Sequence, residues 1–291
     1  MLQLVVAGLT VGSGYALVAL GIHIILRATR VVNFAQGEFV VLGGLFAYSV
    51  VTYLHASVWI ALVLATIAGF GLGLVYERFV LRPAARAGEL TVTIVTVGTV
   101  YVLLYGHALV WGSLPEPLPY FSGGEADVAW HLAGVQIAAQ QVWVIALLAI
   151  ALAILAFFFE ATTYGKAIRA AANNPTGAAL VGIDVDRARS ISVAIAIALA
   201  AFGGVIVGPI TLVGGAVGIG IAIKGFVGAI VGGLDSPIGC ALGGLLVGVA
   251  EKLLEGRFGY GVSDPIVYGL LIVMLLVRPQ GLLGTRKATR D

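Results

Sequence analysis

Apolar runs of about twenty residues, separated by short polar clusters, organise almost the whole chain, and that is the length a helix needs to cross a hydrocarbon core. Nine segments qualify as spans: 2–26, 38–54, 58–77, 90–112, 140–159, 190–213, 219–234, 237–252 and 263–277. Segments 38–54, 219–234 and 237–252 are short and glycine-rich, as expected of broken or re-entrant helices. Irregular backbone at membrane depth survives only where it is buried in protein or lines a cavity. The pattern predicts an all-α, polytopic membrane helical bundle of about nine spans. The first apolar stretch has no basic residues before it and exceeds the roughly 7–15 residues of a signal-peptide core, so it reads as a retained span.

Glycine refines the picture. Gly8/Gly12, Gly204/Gly208, Gly228/Gly232, Gly239/Gly243 and Gly244/Gly248 are spaced as GxxxG pairs. Such pairs let helix backbones approach closely where lipid offers no hydrophobic drive for association. They predict a dense bundle and say nothing of its task.

Composition agrees. The 291 residues are 60% hydrophobic and 10% charged, with a mean hydropathy of +1.08. Soluble domains carry about 25% charged residues. A net charge of +2 argues against a nucleic-acid surface. The single cysteine, Cys240, can form neither a disulfide framework nor a thiolate metal site and reads as a small buried residue.

Basic residues orient the spans, since cytoplasmic loops carry an excess of Lys and Arg. Arg27 and Arg30 follow the first span, and Arg78, Arg82 and Arg86 the third; Lys166, Arg169, Arg187 and Arg189 lie in the long loop after the fifth; Arg278, Arg286, Lys287 and Arg290 close the chain. Alternation puts all four groups on the cytoplasmic side. Loop 113–139 holds Glu116, Glu125 and Asp127 and no Lys or Arg. The N-terminus is therefore expected outside and the C-terminus inside. Lys252 and Arg257 fall on the outer side and fit this arrangement least well.

Ionisable residues within spans are functional candidates by default, because burying them is costly. Asn33, Gln36 and Glu38 crowd the junction between an inward loop and the second span. Asn33 can close the preceding turn, and Glu38 can complement the positive end of the helix dipole. Those single-residue accounts do not explain why all three meet at one junction, so they are read as an inward gate. Lys224 is a second candidate for the translocation path; alternatively it snorkels to the outer face at the start of a short helix.

The loop 160–190 carries a helix-start signal, Asn174-Pro175, with Asn as N-cap and Pro at the first helical position. About two turns follow, with Gly182 near the stop. A helix this short needs a partner surface, either its own bundle or a separate soluble protein.

Catalytic and cofactor motifs are missing. Gly165-Lys166 is followed by Ala167 and lacks the upstream glycine of a phosphate loop. His23, His55, His107 and His131 are scattered without metal-ligand spacing, and no Ser/His/Asp constellation stands out. No catalytic, cofactor or metal residue is expected in this chain.

The stretches GLTVGSGYALVALG (8–21), RVVNFAQGEFVVLGG (30–44), GKAIRAAANNPTGAALVGIDVDRAR (165–189), KGFVGAIVGGLDSPIGCALGGLLVGVAE (224–251) and VRPQGLLG (277–284) together resemble the branched-chain amino-acid permeases of bacterial ABC importers, in particular the shorter of their two paired permease types. The resemblance runs nearly end to end. It implies an ABC importer transmembrane domain, one permease domain over 1–291, in the bacterial inner membrane. It implies a second, longer paralogous permease, an extracytoplasmic solute-binding protein and two ATPases that bind the ATP and Mg. Loop 160–190 would be the coupling element, with Gly165, Arg169, Asn174, Pro175, Ala179, Gly182, Asp184 and Arg187 as its candidate residues. Relatives that carry urea, short amides or aromatic acids leave the solute open. On the residues alone, an ATP-independent secondary transporter or channel shares the same span count and glycines, and a non-transporting membrane scaffold also stays open.

Overall fold

The computed structural model describes residues 1–123, 129–132, 135–278 and 280–284. Twelve α-helices account for most of it: α1 (Leu2–Thr29), α2 (Gln36–Leu54), α3 (Val58–Tyr76), α4 (Arg82–Ala87), α5 (Glu89–Trp111), α6 (Ala139–Ala161), α7 (Thr163–Asn173), α8 (Pro175–Leu180), α9 (Val185–Thr211), α10 (Val217–Gly232), α11 (Pro237–Phe258) and α12 (Tyr260–Val277). A single π turn, Glu77–Leu81, joins α3 to α4. A two-stranded antiparallel ribbon, Ala129–Leu132 with Val135–Ala138, precedes α6. Each of the nine apolar segments of the sequence overlaps a different helix, with 190–213 and 219–234 running two residues past the ends of α9 and α10. Among the described residues, seven helical stretches are long and apolar enough to cross a membrane, and Val217–Gly232 and Asp264–Val277 are shorter. Glu125, Asp127, Arg286, Lys287 and Arg290 lie outside the described residues.

Helices α1 and α9 are the most enclosed, while α5 and α6 present most of their surface outward. They pack antiparallel: Val207 lies against Gly14, and Leu17 against Gly203. Around them Leu17, Phe39, Ile197 and Ile206 form the centre of the main core.

Four of the five GxxxG pairs pack on one another, while Gly204 meets α2 at Val40 and Gly44. Gly8 and Gly12 of α1 meet α11: a Cβ on Gly8 would lie 2.5 Å from Val249 Cα, and one on Gly12 3.0 Å from Leu245 Cα. The opposite wall is Gly244 and Gly248, where any Cβ would run into the α1 backbone. On the other face of α11, a Cβ on Gly228 of α10 would sit 2.7 Å from Gly244 Cα. Dispersion across these backbone contacts substitutes for hydrophobic burial.

The bundle has two distinct ends. At one end the turn after α9 bridges to the segment after α5, through Glu116 N to Val213 O at 2.6 Å and Val213 N to Glu116 O at 3.0 Å. At the other lie α7, α8 and the start of α9. All described Lys and Arg except Lys224, Lys252 and Arg257 cluster at this second end. Lys252 is paired with Glu255 at 2.6 Å, and Arg257 is exposed at the end of α11.

Candidate functional site

Asn33, Gln36 and Glu38 are all buried, and they do not sit at the bundle's end. Gln36 donates from Nε2 to Ala196 O at 2.8 Å and occupies the space beside Gly21, where a Cβ would collide with it. Gly21 is eight residues back from the end of α1 at Thr29, about 12 Å along the helix. The linker after α1 therefore turns back into the bundle before α2 begins. This corrects the expectation of a junction at the inner mouth. It also locates the break before α2, whose helix is continuous.

Asn33 closes the turn as expected: its Oδ1 accepts from Ala35 N at 3.1 Å. The Tyr76 hydroxyl lies 3.4 Å from the same oxygen. Glu38 falls in the first turn of α2, but no side chain caps that helix. Its carboxylate faces Gly218, where a Cβ would lie 2.5 Å from Oε1. It also faces His107 of α5, with Glu38 Oε2 3.4 Å from His107 Nε2. Asn33 Nδ2, Gln36 Oε1, both Glu38 oxygens and both His107 ring nitrogens are buried without a hydrogen-bond partner. Each such atom costs about 1–3 kcal/mol.

Lys224 is the eighth residue of α10, well inside the helix, so the snorkelling expectation is corrected. Its Nζ donates to Glu251 Oε1 at 2.7 Å and lies 2.7 Å from Asp264 Oδ1. Tyr15 donates from its hydroxyl to Glu251 Oε2 at 2.8 Å, and the ammonium stands 6.0 Å from the Tyr15 ring centroid. This cluster borders a partly open cavity of about 550 Å³ lined by α1, α2, α9, α10, α11, the turn after α9 and Gln141 of α6. In that turn Leu212 holds φ 61°, ψ 164°, a backbone region that glycine ordinarily occupies.

Loop 160–190 contains more helix than its sequence suggested: α7 and α8, with α9 starting at 185. Gly165 is buried, and a Cβ there would lie 2.6 Å from Phe159 Cα, so α7 folds tightly against the end of α6. Asn174 caps α8, accepting from Gly177 N at 2.9 Å, with Pro175 at the first position. Gly182 ends the turn at φ 85°. Asp184 caps α9, accepting from Arg187 N at 2.9 Å. Ala178 points inward, while Arg169, Ala179, Leu180, Val181 and Arg187 are exposed.

Sequence reasoning passed over Glu77, Glu251 and His107. Glu77 is fully buried in the π turn. It accepts from Arg82 Nε at 3.2 Å and Nη2 at 3.1 Å and from Ser190 Oγ at 2.6 Å, and Arg189 Nε is 3.5 Å away. Arg189 is also paired with Asp186. For Glu251 and Glu77 the available signal was an acid ending or interrupting an apolar run, the same signal that picked out Glu38.

Residues 4–277 match the family described as "Branched-chain amino acid transport system / permease component". The chain is 31% identical to the high-affinity branched-chain amino acid transport system permease protein BraD of Pseudomonas aeruginosa, over 97% of this chain and 95% of that protein. It is 30% identical to the permease protein LivH of Salmonella typhimurium, with the same two coverages. It is 29% identical to the probable branched-chain amino acid transport permease LivH of Methanocaldococcus jannaschii, over 92% of this chain and 88% of that protein. No solved structure matches.

Proposed function

The chain belongs to the permease components of branched-chain amino acid transport systems, and from that premise we propose that it forms the membrane path of an ATP-driven importer of branched-chain amino acids. The protein is a multi-pass membrane transport subunit and not an enzyme. In this reading a binding protein delivers the solute on the outer side, a second permease completes the path, and two ATPases bind ATP and Mg on the inner side. The N-terminus lies outside and the C-terminus in the cytoplasm, a placement supported by the clustering of basic residues at the α8 end.

The observation that carries the proposal is the exposed tip of loop 160–190. Helix α8 has only six residues and cannot stand alone in water. Yet Leu180 and Val181 are 84% and 76% exposed, while Ala178 behind them is buried. An apolar tip fixed on one side and bare on the other suits docking into an ATPase. Asn33, Gln36 and Glu38 serve as the gate, supported by their unpartnered buried atoms, and Lys224 lies on the path, supported by the cavity it borders.

The test is Ala179→Glu. It is expected to reduce ATPase co-purification and leucine uptake at unchanged abundance of this chain. Normal co-purification with normal uptake refutes the docking role.

A further inference from the structure

The cavity beside Lys224 has a charged wall and an apolar wall. Lys224, Glu251 and Lys252 line the first, Lys252 being paired with Glu255, and Val11, Val40, Val207 and Ile221 contribute to the second. We propose that Lys224 and Glu251 dock the carboxylate and ammonium of a zwitterionic α-amino acid in transit, while its aliphatic side chain rests on the valines and Ile221. This rests on the import reading above and names the site within it.

Three features support the assignment. The first is capacity. About 550 Å³ falls within the roughly 300–1,000 Å³ of small-molecule pockets, which combine an apolar lining with a few placed polar groups.

The second is valence. Lys224 directs its ammonium to Glu251 and Asp264, each at 2.7 Å, which leaves one of its three protons for an incoming carboxylate. Glu251 takes one contact on each oxygen, from Lys224 and Tyr15, which leaves lone pairs for an ammonium. A zwitterion can thus be added to the pair without moving net charge into a poorly solvated region. A lone anion would add to the negative charge already in excess there, since one lysine faces two acids, Glu251 and Asp264, at high cost.

The third is compensation. Lys224 holds a second acid, Asp264 of α12, at 2.7 Å, so it keeps a partner when Glu251 turns to the solute's ammonium.

The experiment uses the assembled complex, with its partner permease, ATPases and binding protein, in proteoliposomes supplied with radiolabelled leucine. A wild-type complex that imports no branched-chain amino acid overturns the import reading itself, whatever the pair does. Given wild-type uptake, the swap Lys224→Glu with Glu251→Lys is decisive when made in an Asp264→Asn background and compared with that background alone, because a carboxylate at position 224 would otherwise face Asp264. It restores a salt bridge but inverts the dipole that orients the solute, so uptake is expected to fall by about thirtyfold or more at wild-type abundance. Uptake near that of the Asp264→Asn background shows a merely structural pair and overturns the site alone. Where the swap does not assemble, Ile221→Cys in a Cys240→Ala background is labelled with a small thiol reagent. Leucine is expected to slow that labelling and leucinamide, which has no carboxylate, is not. Equal effects of the two, or none, overturn the proposal.

Discussion

Ser190 Oγ donates to Glu77 Oε2 at 2.6 Å, across 113 residues of sequence, and so ties the first turns of α9 to the π turn that ends α3. Arg82 and Arg189 hold the same carboxylate, and Asp186 pairs with both arginines. Loop 160–190 leads directly into this cluster, so under the docking role proposed above a push on α8 would reach two spans at once. A single π turn is a frequent mark of a functional position in a helix.

Glu77→Ala strips the shared acceptor from two arginines and a serine. Breaking a buried charge pair by removing one partner costs about 3–5 kcal/mol. The variant is expected to lose that much stability, read as an earlier thermal transition of the purified complex. Ser190→Ala removes the hydroxyl that donates to Glu77 and accepts from Arg82 Nη2 and keeps the ion pairs. It is expected to retain the fold while ATP hydrolysis by the complex becomes less tightly linked to uptake. Unchanged stability in Glu77→Ala would show that the cluster is dispensable.

The glycine seam makes a contrast of its own. Any side chain at Gly248 runs into the α1 backbone, whereas a Cβ at Gly98 in α5 meets nothing within 4 Å. Gly248→Val is expected to abolish accumulation of folded protein. Gly98→Ala is expected to accumulate normally and to gain up to about 1 kcal/mol from helix propensity. Comparable abundance of the two in fluorescence-detected size-exclusion chromatography would contradict the close packing of α1 on α11.

The spans and the glycine seams were legible because each is written locally. Twenty apolar residues in a row admit few other readings, and a GxxxG pair needs only a matching face. The cap of α8 was legible for the same reason, since Asn174 and Gly177 are neighbours in sequence. The depth of Gln36 was not. It depends on a carbonyl 160 residues away, Ala196 O, and no local pattern tells a linker whether to stop at the surface or turn back. Lys224 was misplaced similarly: its acids lie on α11 and α12, and a lysine at the edge of a glycine-rich run looks the same whether it snorkels or pairs.

Topology is open to a direct check. Ser122 lies in the same segment after α5 as Glu116, and Thr176 lies in α8; both are exposed. Helix α9 separates those ends with 27 residues, about 40 Å. Cysteines at Ser122 and Thr176, each in a Cys240→Ala background, are expected to react with an impermeant thiol reagent from opposite sides of the membrane. Ser122→Cys should react in intact cells and Thr176→Cys only after permeabilisation. Labelling of both from one side would sink the arrangement.

Glu38 separates two physical roles. As an acid in the first turn of α2 it complements the helix dipole, an effect worth about 0.3–1 kcal/mol when exposed and up to about 2 kcal/mol when partly buried. Glu38→Gln would then cost modest stability and leave uptake nearly intact. As part of a gate it does more. Its oxygens and the His107 nitrogens are close, at 3.4 Å, yet neither side chain completes a hydrogen bond. A contact left incomplete in one conformation can close in another, and a difference of that kind is what shifts a two-state balance. On this view Glu38→Gln and His107→Ala should each reduce leucine uptake at wild-type abundance. Their double variant should be no worse than either alone, since both remove the same contact. Additive losses, or full uptake by Glu38→Gln together with Asn33→Ala, would assign Glu38 to the helix dipole and remove it from the gate.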